Sequence, residues 1–183
     1  HEKMTMDTRA MEAKLAAAGG KLEPFQPDDG AFAAWCLECG AMVDAIFGTG
    51  LRRGVEGDAL TAIHMMNTCD IPVVSADIPS GVETDTGRVL GAAVEAASTV
   101  TFTLPKVGHF VGKGGLHTGK LVVADIGIPE DLVNGADCPV CSVGEGEVRF
   151  PRRPLDAHKG DFATSYILGG SVAYSAAPAL AAQ

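Results

Sequence analysis

Ala41-Met42-Val43-Asp44-Ala45-Ile46, broken off at Gly48-Thr49-Gly50, decides the fold. A short apolar run that stops at a Gly-rich turn fits a buried strand feeding a loop. Downstream, residues 56–67 predict a helix with Leu60, Ile63 and Met66 or Asn67 on one stripe. Residues 71–76 predict a second buried strand, 98–103 a β-branched and aromatic third, and 121–126 a fourth. Strands this apolar, with a helix between the first two, predict an α/β fold whose parallel sheet is covered on both faces. Upstream, residues 4–18 are good helix formers closed by Gly19-Gly20. Pro24, Pro27, Asp28, Asp29 and Gly30 then read as a loop.

The 183 residues suffice for one domain, or one domain and part of another. A net charge of −9 argues against phosphate-backbone binding and against docking on an anionic membrane surface. No apolar run approaches the roughly 18–20 residues that cross a bilayer. The chain opens on His1, mid-pattern, and is expected to be incomplete; no basic start leads into an apolar stretch. Five cysteines, an odd number in a chain that is not a small secreted type, point to a reduced, cytoplasmic setting. Near residues 144–154 charges and prolines crowd together as in a linker. Beyond it, residues 165–168 predict a strand closed by Gly169-Gly170-Ser171, and an Ala-rich helix starts at Ser175.

In parallel α/β sheets ligands sit at the carboxyl ends of the strands. Three loops are expected there. In Gly48-Thr49-Gly50-Leu51-Arg52-Arg53-Gly54, glycines let backbone N–H groups approach a phosphate and Arg adds a charged fork, against the plainer reading of a strand-to-helix turn. In Asp77-Ile78-Pro79-Ser80-Gly81, the acid can bind a sugar hydroxyl or exchange a proton, and Ser80 can offer oxygen to a hard monovalent cation; a satisfied turn acid is the other reading. Asp44, inside an apolar strand, needs a partner or a cation. In the third loop Lys106 can pair with phosphate or act as a general acid, or be simply solvated. His109 and His117 show no partners and are expected to be ordinary loop or surface histidines. Cys36-Leu37-Glu38-Cys39 and Cys138-Pro139-Val140-Cys141 are two CxxC pairs, separated too widely for a zinc ribbon. Zinc, a redox role, or small buried or loop thiols stay open.

Val43-Asp44-Ala45-Ile46-Phe47-Gly48-Thr49-Gly50-Leu51, Ala76-Asp77-Ile78-Pro79-Ser80-Gly81-Val82, Asp85-Thr86-Gly87, Thr99-Val100-Thr101-Phe102 with Pro105-Lys106, and Val122-Val123-Ala124-Asp125-Ile126-Gly127-Ile128-Pro129 follow in order. Together they resemble the NAD(P)H-hydrate epimerase family over residues 44–129. His158-Lys159-Gly160-Asp161-Phe162, then Gly169-Gly170-Ser171 and Tyr174, resemble the opening of the ADP-dependent NAD(P)H-hydrate dehydratase domain.

The resemblance implies a Rossmann-like three-layer α/β/α sandwich over residues 1–148, a linker at 149–157, and the start of a ribokinase-like domain at 158–183. It implies epimerisation of the R and S forms of hydrated NADH and NADPH, coupled in the full-length protein to ADP-dependent dehydration of the S form. Asp44 and Ser80 would be potassium ligands. Gly48, Thr49, Gly50, Leu51, Arg52, Arg53, Gly54 and Asp77 would contact the dinucleotide, with Asp77, and Lys106 behind it, as catalytic candidates. Full-length members suggest homo-oligomers, with no nucleic acid or membrane as partner. The family's Asn-Asn-Gly-Gly-Asp-Gly loop is absent and Ala163 stands where Gly is usual, so this chain alone is expected to be inactive, with no formed ADP site. The competing reading is a noncatalytic nucleotide-binding or interaction module of the same fold; a zinc-structured module is a third.

Overall fold

The computed structural model describes residues 4–27, 30–138, 140–147, 154–161, 166–171 and 176–182. Helix α1 (Met6–Ala17) begins where Thr5 Oγ1 accepts the Thr8 amide, and it buries no residue. Helix α2 (Ala31–Glu38) lays Phe32 against the core. Strand β1 (Met42–Asp44), helix α3 (Gly57–Thr68), strands β2 (Val73–Ala76) and β3 (Ser98–Phe102), helix α4 (Gly114–His117), strand β4 (Lys120–Ala124) and helix α5 (Glu130–Asn134) follow. The four strands pair in parallel in the order β1-β2-β3-β4. All four carboxyl ends therefore lie along one edge. The α/β class and all four strands match the expectation, each within three residues at its ends.

The register aligns Asp44 with Ser75 and Ser75 with Thr99. All three are fully buried, so the inner face carries a polar row in which Asp44 is joined by Ser75 and Thr99. α3 covers the apolar part of this face: Ile63 and Met66 join Leu51, Val55, Val73 and Val94 in one cluster. Full burial of a side chain such as Ile63 contributes about 1.5–3 kcal/mol. Asn67 stitches α3 to the strand-to-strand connection: its Nδ2 donates to the Ala93 carbonyl at 2.9 Å and its Oδ1 accepts the Glu95 amide at 2.9 Å.

The opposite face departs from the expected cover. Val43 is 70% exposed, and Phe102 and Val122 are partly exposed on the same side. Among the described residues no helix packs there, because α3 and the β2–β3 connection both lie on the polar-row side.

The connections after β2 and β3 contain little regular structure and are held by main chain pressed on main chain. A Cβ added at Gly81 would run into the Ala92 carbonyl, at Gly87 into Val111, and at Gly108 into Glu83. At Gly114 it would run into the carbonyl of Gly108. Val82 and Val89 form a single antiparallel bridge inside the first of these connections.

The contacts divide the chain into His1–Val140 and Cys141–Gln183. In the second unit a turn of 3₁₀ helix spans Lys159–Asp161, where Asp161 Oδ2 accepts the His158 amide at 2.8 Å. Helix α6 (Ala176–Ala181) lies where a helix start was expected. The expected strand at 165–168 is a correction: Tyr166, Ile167 and Leu168 are irregular, with Tyr166 and Leu168 exposed and no neighbouring strand to pair with among the described residues. Ser165, Phe162, Ala163, Tyr174 and most of the expected linker lie outside the described residues.

Candidate functional site

Three loops leave the sheet at the carboxyl edge, after β1, β2 and β3. The first two meet through Asp44 and Ser80. Asp44 Oδ2 accepts the Ser75 hydroxyl and the Ser80 amide, each at 2.8 Å. Its Oδ1 accepts the Ser80 hydroxyl at 2.6 Å and the Ile46 amide at 3.3 Å. Ser80 Oγ in turn accepts the Phe47 amide at 2.8 Å, just before Gly48. The Asp44 carboxylate is fully buried and belongs to none of the ion pairs of the described residues. Its four partners are neutral donors. A buried anion met only by dipoles still carries its full charge. Asp44 and Ser80 offer carboxylate and hydroxyl oxygens, the ligand types that a hard monovalent cation takes.

The glycine turn after Phe47 faces open space: a Cβ at Gly48, Gly50 or Gly54 would meet nothing within 4 Å. Thr49 is tied down where its carbonyl accepts the Thr84 hydroxyl at 3.1 Å. Arg52 pairs with Asp85 at 2.7 Å on the surface, and Arg53 is exposed. Leu51 differs from the rest of the turn. Its side chain is buried in the core cluster, which leaves only its main chain toward a ligand.

The second centre lies at the ends of β2 and β3. Asp77 Oδ1 accepts from Lys106 Nζ at 2.5 Å and Thr101 Oγ1 at 3.0 Å, with the Phe102 amide at 3.4 Å. Lys106 Nζ also donates to Thr101 Oγ1 at 2.8 Å and to the Phe102 carbonyl at 3.0 Å. Burial alone pushes the Asp77 carboxyl up. The hydrogen bonds from Lys106 and Thr101, the Lys106 charge and the Phe102 amide outweigh it and hold the group below its ordinary value. Among the described residues no hydrogen bond falls on Asp77 Oδ2. One carboxylate oxygen is therefore anchored and the other is available to a ligand.

Thr101 was not singled out in the sequence; its signal is the Thr99–Thr101 alternation, which puts both hydroxyls on the inner face. His109 is a correction. It is 3% exposed, its Nδ1 accepts the Lys106 amide at 3.0 Å, and its Nε2 lies 2.9 Å from the Asp77 carbonyl. Burial lowers its pKa below the ordinary histidine value; the Asp77 carbonyl opposes this and the Lys106 charge adds to it. His117, half-buried, donates from Nδ1 to the Val94 carbonyl at 3.2 Å, so it also has a partner.

The cysteines need correcting too. Cys36 forms a disulfide with Cys69, tying α2 to the end of α3. That bond removes Cys36 from any four-thiolate site built on the two CxxC pairs. Cys39, Cys138 and Cys141 are free and exposed.

The family model described as YjeF-related protein N-terminus matches residues 1–108. A bifunctional NAD(P)H-hydrate repair enzyme of Moorella thermoacetica is 41% identical over 143 residues, covering 77% of this chain and 27% of that protein. One of Pyrobaculum aerophilum is 39% identical over 174 residues, covering 93% of this chain and 32% of that protein. An NAD(P)H-hydrate epimerase of Limosilactobacillus fermentum is 48% identical over 84 residues, 46% of this chain and 40% of that protein. The chain thus spans about a quarter to two fifths of these relatives. The crystal structure of yeast ynu0, YNL200c, superposes with a TM-score of 0.58 at 23% identity, over 72% of this chain and 54% of the other. At that identity the likeness concerns the fold alone.

Proposed function

The chain belongs to the family of YjeF-related protein N-terminal domains, and from that membership we propose that the full-length protein performs the epimerase step of NAD(P)H-hydrate repair, this chain alone being inactive. The substrates in this reading are the R and S forms of hydrated NADH and NADPH. In the full-length protein, the step is coupled to ADP-dependent dehydration of the S form. The protein binds a dinucleotide rather than nucleic acid or a membrane, and assembles as a homo-oligomer.

The observation that carries the reading is the Asp77 carboxylate, anchored through Oδ1 by Lys106 and Thr101 and free at Oδ2, on the edge where the glycine turn opens. Inverting a hydroxyl-bearing carbon breaks one bond to it and remakes that bond on the other face. A proton must reach the departing oxygen and leave the returning water. Lys106 Nζ, whose three N–H groups are held by Asp77, Thr101 and the Phe102 carbonyl, supplies the first by exchanging the Phe102 carbonyl for the departing oxygen, and Asp77 Oδ2 accepts the second, so no proton is consumed overall. Gly48, Thr49, Gly50, Arg52, Arg53 and Gly54 wrap the nucleotide, with Leu51 contributing main chain only.

Asp44 and Ser80 would hold a potassium ion. When bound, such an ion would supply positive charge against the buried Asp44 carboxylate. Its test needs no turnover: potassium chloride should raise the melting temperature of the wild type above that in tetramethylammonium chloride of equal strength, and not that of Asp44→Asn.

The activity is tested by following interconversion of the two hydrate epimers by chromatography. Asp77→Asn should remove it, because the amide cannot take the proton. An Asp77→Asn protein that epimerises at the wild-type rate ends the proposal.

A further inference from the structure

Asp77 has φ 69°, in the left-handed region that residues with a side chain seldom adopt. From this backbone position its carboxylate meets Lys106. Its amide donates to the Val100 carbonyl at 2.7 Å. Its carbonyl is held by the ring of His109.

The ring's proton can be placed. Nδ1 lies 3.0 Å from the Lys106 backbone amide, which can only donate, so Nδ1 is bare. The remaining proton of the neutral ring is on Nε2, where it is donated to the Asp77 carbonyl. One buried imidazole thus clamps the main chain of both members of the Asp77–Lys106 pair. The clamp is itself fixed. His109 closes a 3₁₀ turn, Val107–His109, whose Gly108 amide donates to the Thr84 carbonyl at 2.6 Å. The Phe110 ring stands edge-on to the imidazole at 6.3 Å. The charged groups that act on the ring are Asp77 and Lys106.

We propose that His109 is a positioning residue: its Nε2–H tautomer sets the backbone of Asp77 and Lys106, and so aims Asp77 Oδ2 and the Lys106 ammonium at the substrate. It rests on the epimerase reading given above. The ring has no second role as proton donor to the substrate, since both nitrogens are spent on main chain. A protonated ring would turn an N–H toward the Lys106 N–H and open the clamp.

The test uses the full-length protein. Nitrogen-15 NMR of labelled wild type should show a protonated Nε2 and a bare Nδ1. His109→Phe keeps the volume and loses both bonds. It should lower kcat roughly 10- to 100-fold while KM stays within about threefold. His109→Gln, which can restore a donor toward the Asp77 carbonyl, should recover part of kcat. In acid, kcat of the wild type should fall with a midpoint set by His109, and this limb should be missing in His109→Gln. His109→Gln also covers the case in which His109→Phe does not fold.

A proton found on Nδ1 overturns the assignment. So does a kcat for both variants within about twofold of wild type, in a protein whose Asp77→Asn variant is dead. Either result leaves the epimerase reading standing. A wild type that does not epimerise ends both.

Discussion

Replacing Asp44 by Asn removes one unit of charge and changes almost no volume, so it isolates what the buried carboxylate contributes. Two effects oppose each other. A neutral side chain no longer has to be stripped of water as an ion, which favours Asn. Against this, the carboxylate accepts four hydrogen bonds, and its two oxygens each take one from a rigid backbone amide: Ile46 on Oδ1 and Ser80 on Oδ2. An amide side chain has one acceptor and one donor. Whichever way it is turned, its NH₂ faces a backbone N–H that cannot rotate away. The milder orientation sacrifices the Ile46 bond, the longest of the four at 3.3 Å. Losing a charge-assisted bond and stranding a buried donor each cost about 1–3 kcal/mol. The dipoles already solvate the ion, so the relief from desolvation is the smaller effect. Asp44→Asn should therefore destabilise by about 2 kcal/mol, and Asp44→Ala, which strands both amides, by about 4 kcal/mol. Urea unfolding followed by circular dichroism reads this directly. With a slope of about 2 kcal/mol per molar, the Asp44→Asn variant should lose about 1 M in midpoint at unchanged slope. Asp125→Asn is the control, since that carboxylate is exposed and accepts a single bond from Gly127; it should stay within about 0.5 kcal/mol. An Asp44→Asn protein with the wild-type midpoint would refute the reasoning, because the fixed donors would then not govern the energy.

Gly81→Ala should cost about 3 kcal/mol or more in the same assay, since φ is 99° and the new methyl meets the Ala92 carbonyl. Gly48→Ala, with nothing within 4 Å, should be neutral to within about 0.5 kcal/mol in stability. Stability should fall as pH drops below about 6.5: with the His109 pKa lowered by burial, the unfolded chain takes up a proton that the folded one refuses until its own lower value is reached. Urea midpoints between pH 7.5 and 5 should show that slope, and His109→Gln should flatten it. Reducing Cys36–Cys69, which bridges a sequence separation of 33, should lower stability by about 3–4 kcal/mol, measured as a urea midpoint with and without dithiothreitol. Equal midpoints would show that the bond closes no entropy-rich loop.

The strands were legible because each is a short apolar or β-branched run ended by glycine or proline, and a parallel edge collects their loops by topology alone. The meeting of Asp44 with Ser80 follows from the same rule: both stand at carboxyl ends of neighbouring strands. What could not be read depends on how irregular chain folds back. His109 is three residues from Lys106, and no periodicity reveals that a 3₁₀ turn delivers it to the Asp77 carbonyl. Leu51 sits among glycines and arginines, yet its side chain enters the core because the turn curls over α3. Cys36 and Cys69 lie far apart in sequence, and nothing in the CxxC spacing, which leaves zinc, a redox role and plain thiols open, reveals their bond. The polar row escaped notice because Ser75 and Thr99 look like ordinary strand residues until the register sets them beside Asp44.

The glycines that seat one stretch of backbone directly on another have an evolutionary consequence. At Gly81, Gly87, Gly108 and Gly114 the alphabet has a single letter, because the nearest obstacle is always a carbonyl belonging to the scaffold, which no substitution can shrink. Drift cannot repair a change there by a second change nearby. The outward turn at Gly48, Gly50 and Gly54 is under no such geometric veto, so new ligand preferences can be explored on that rim while the frame beneath it stays frozen.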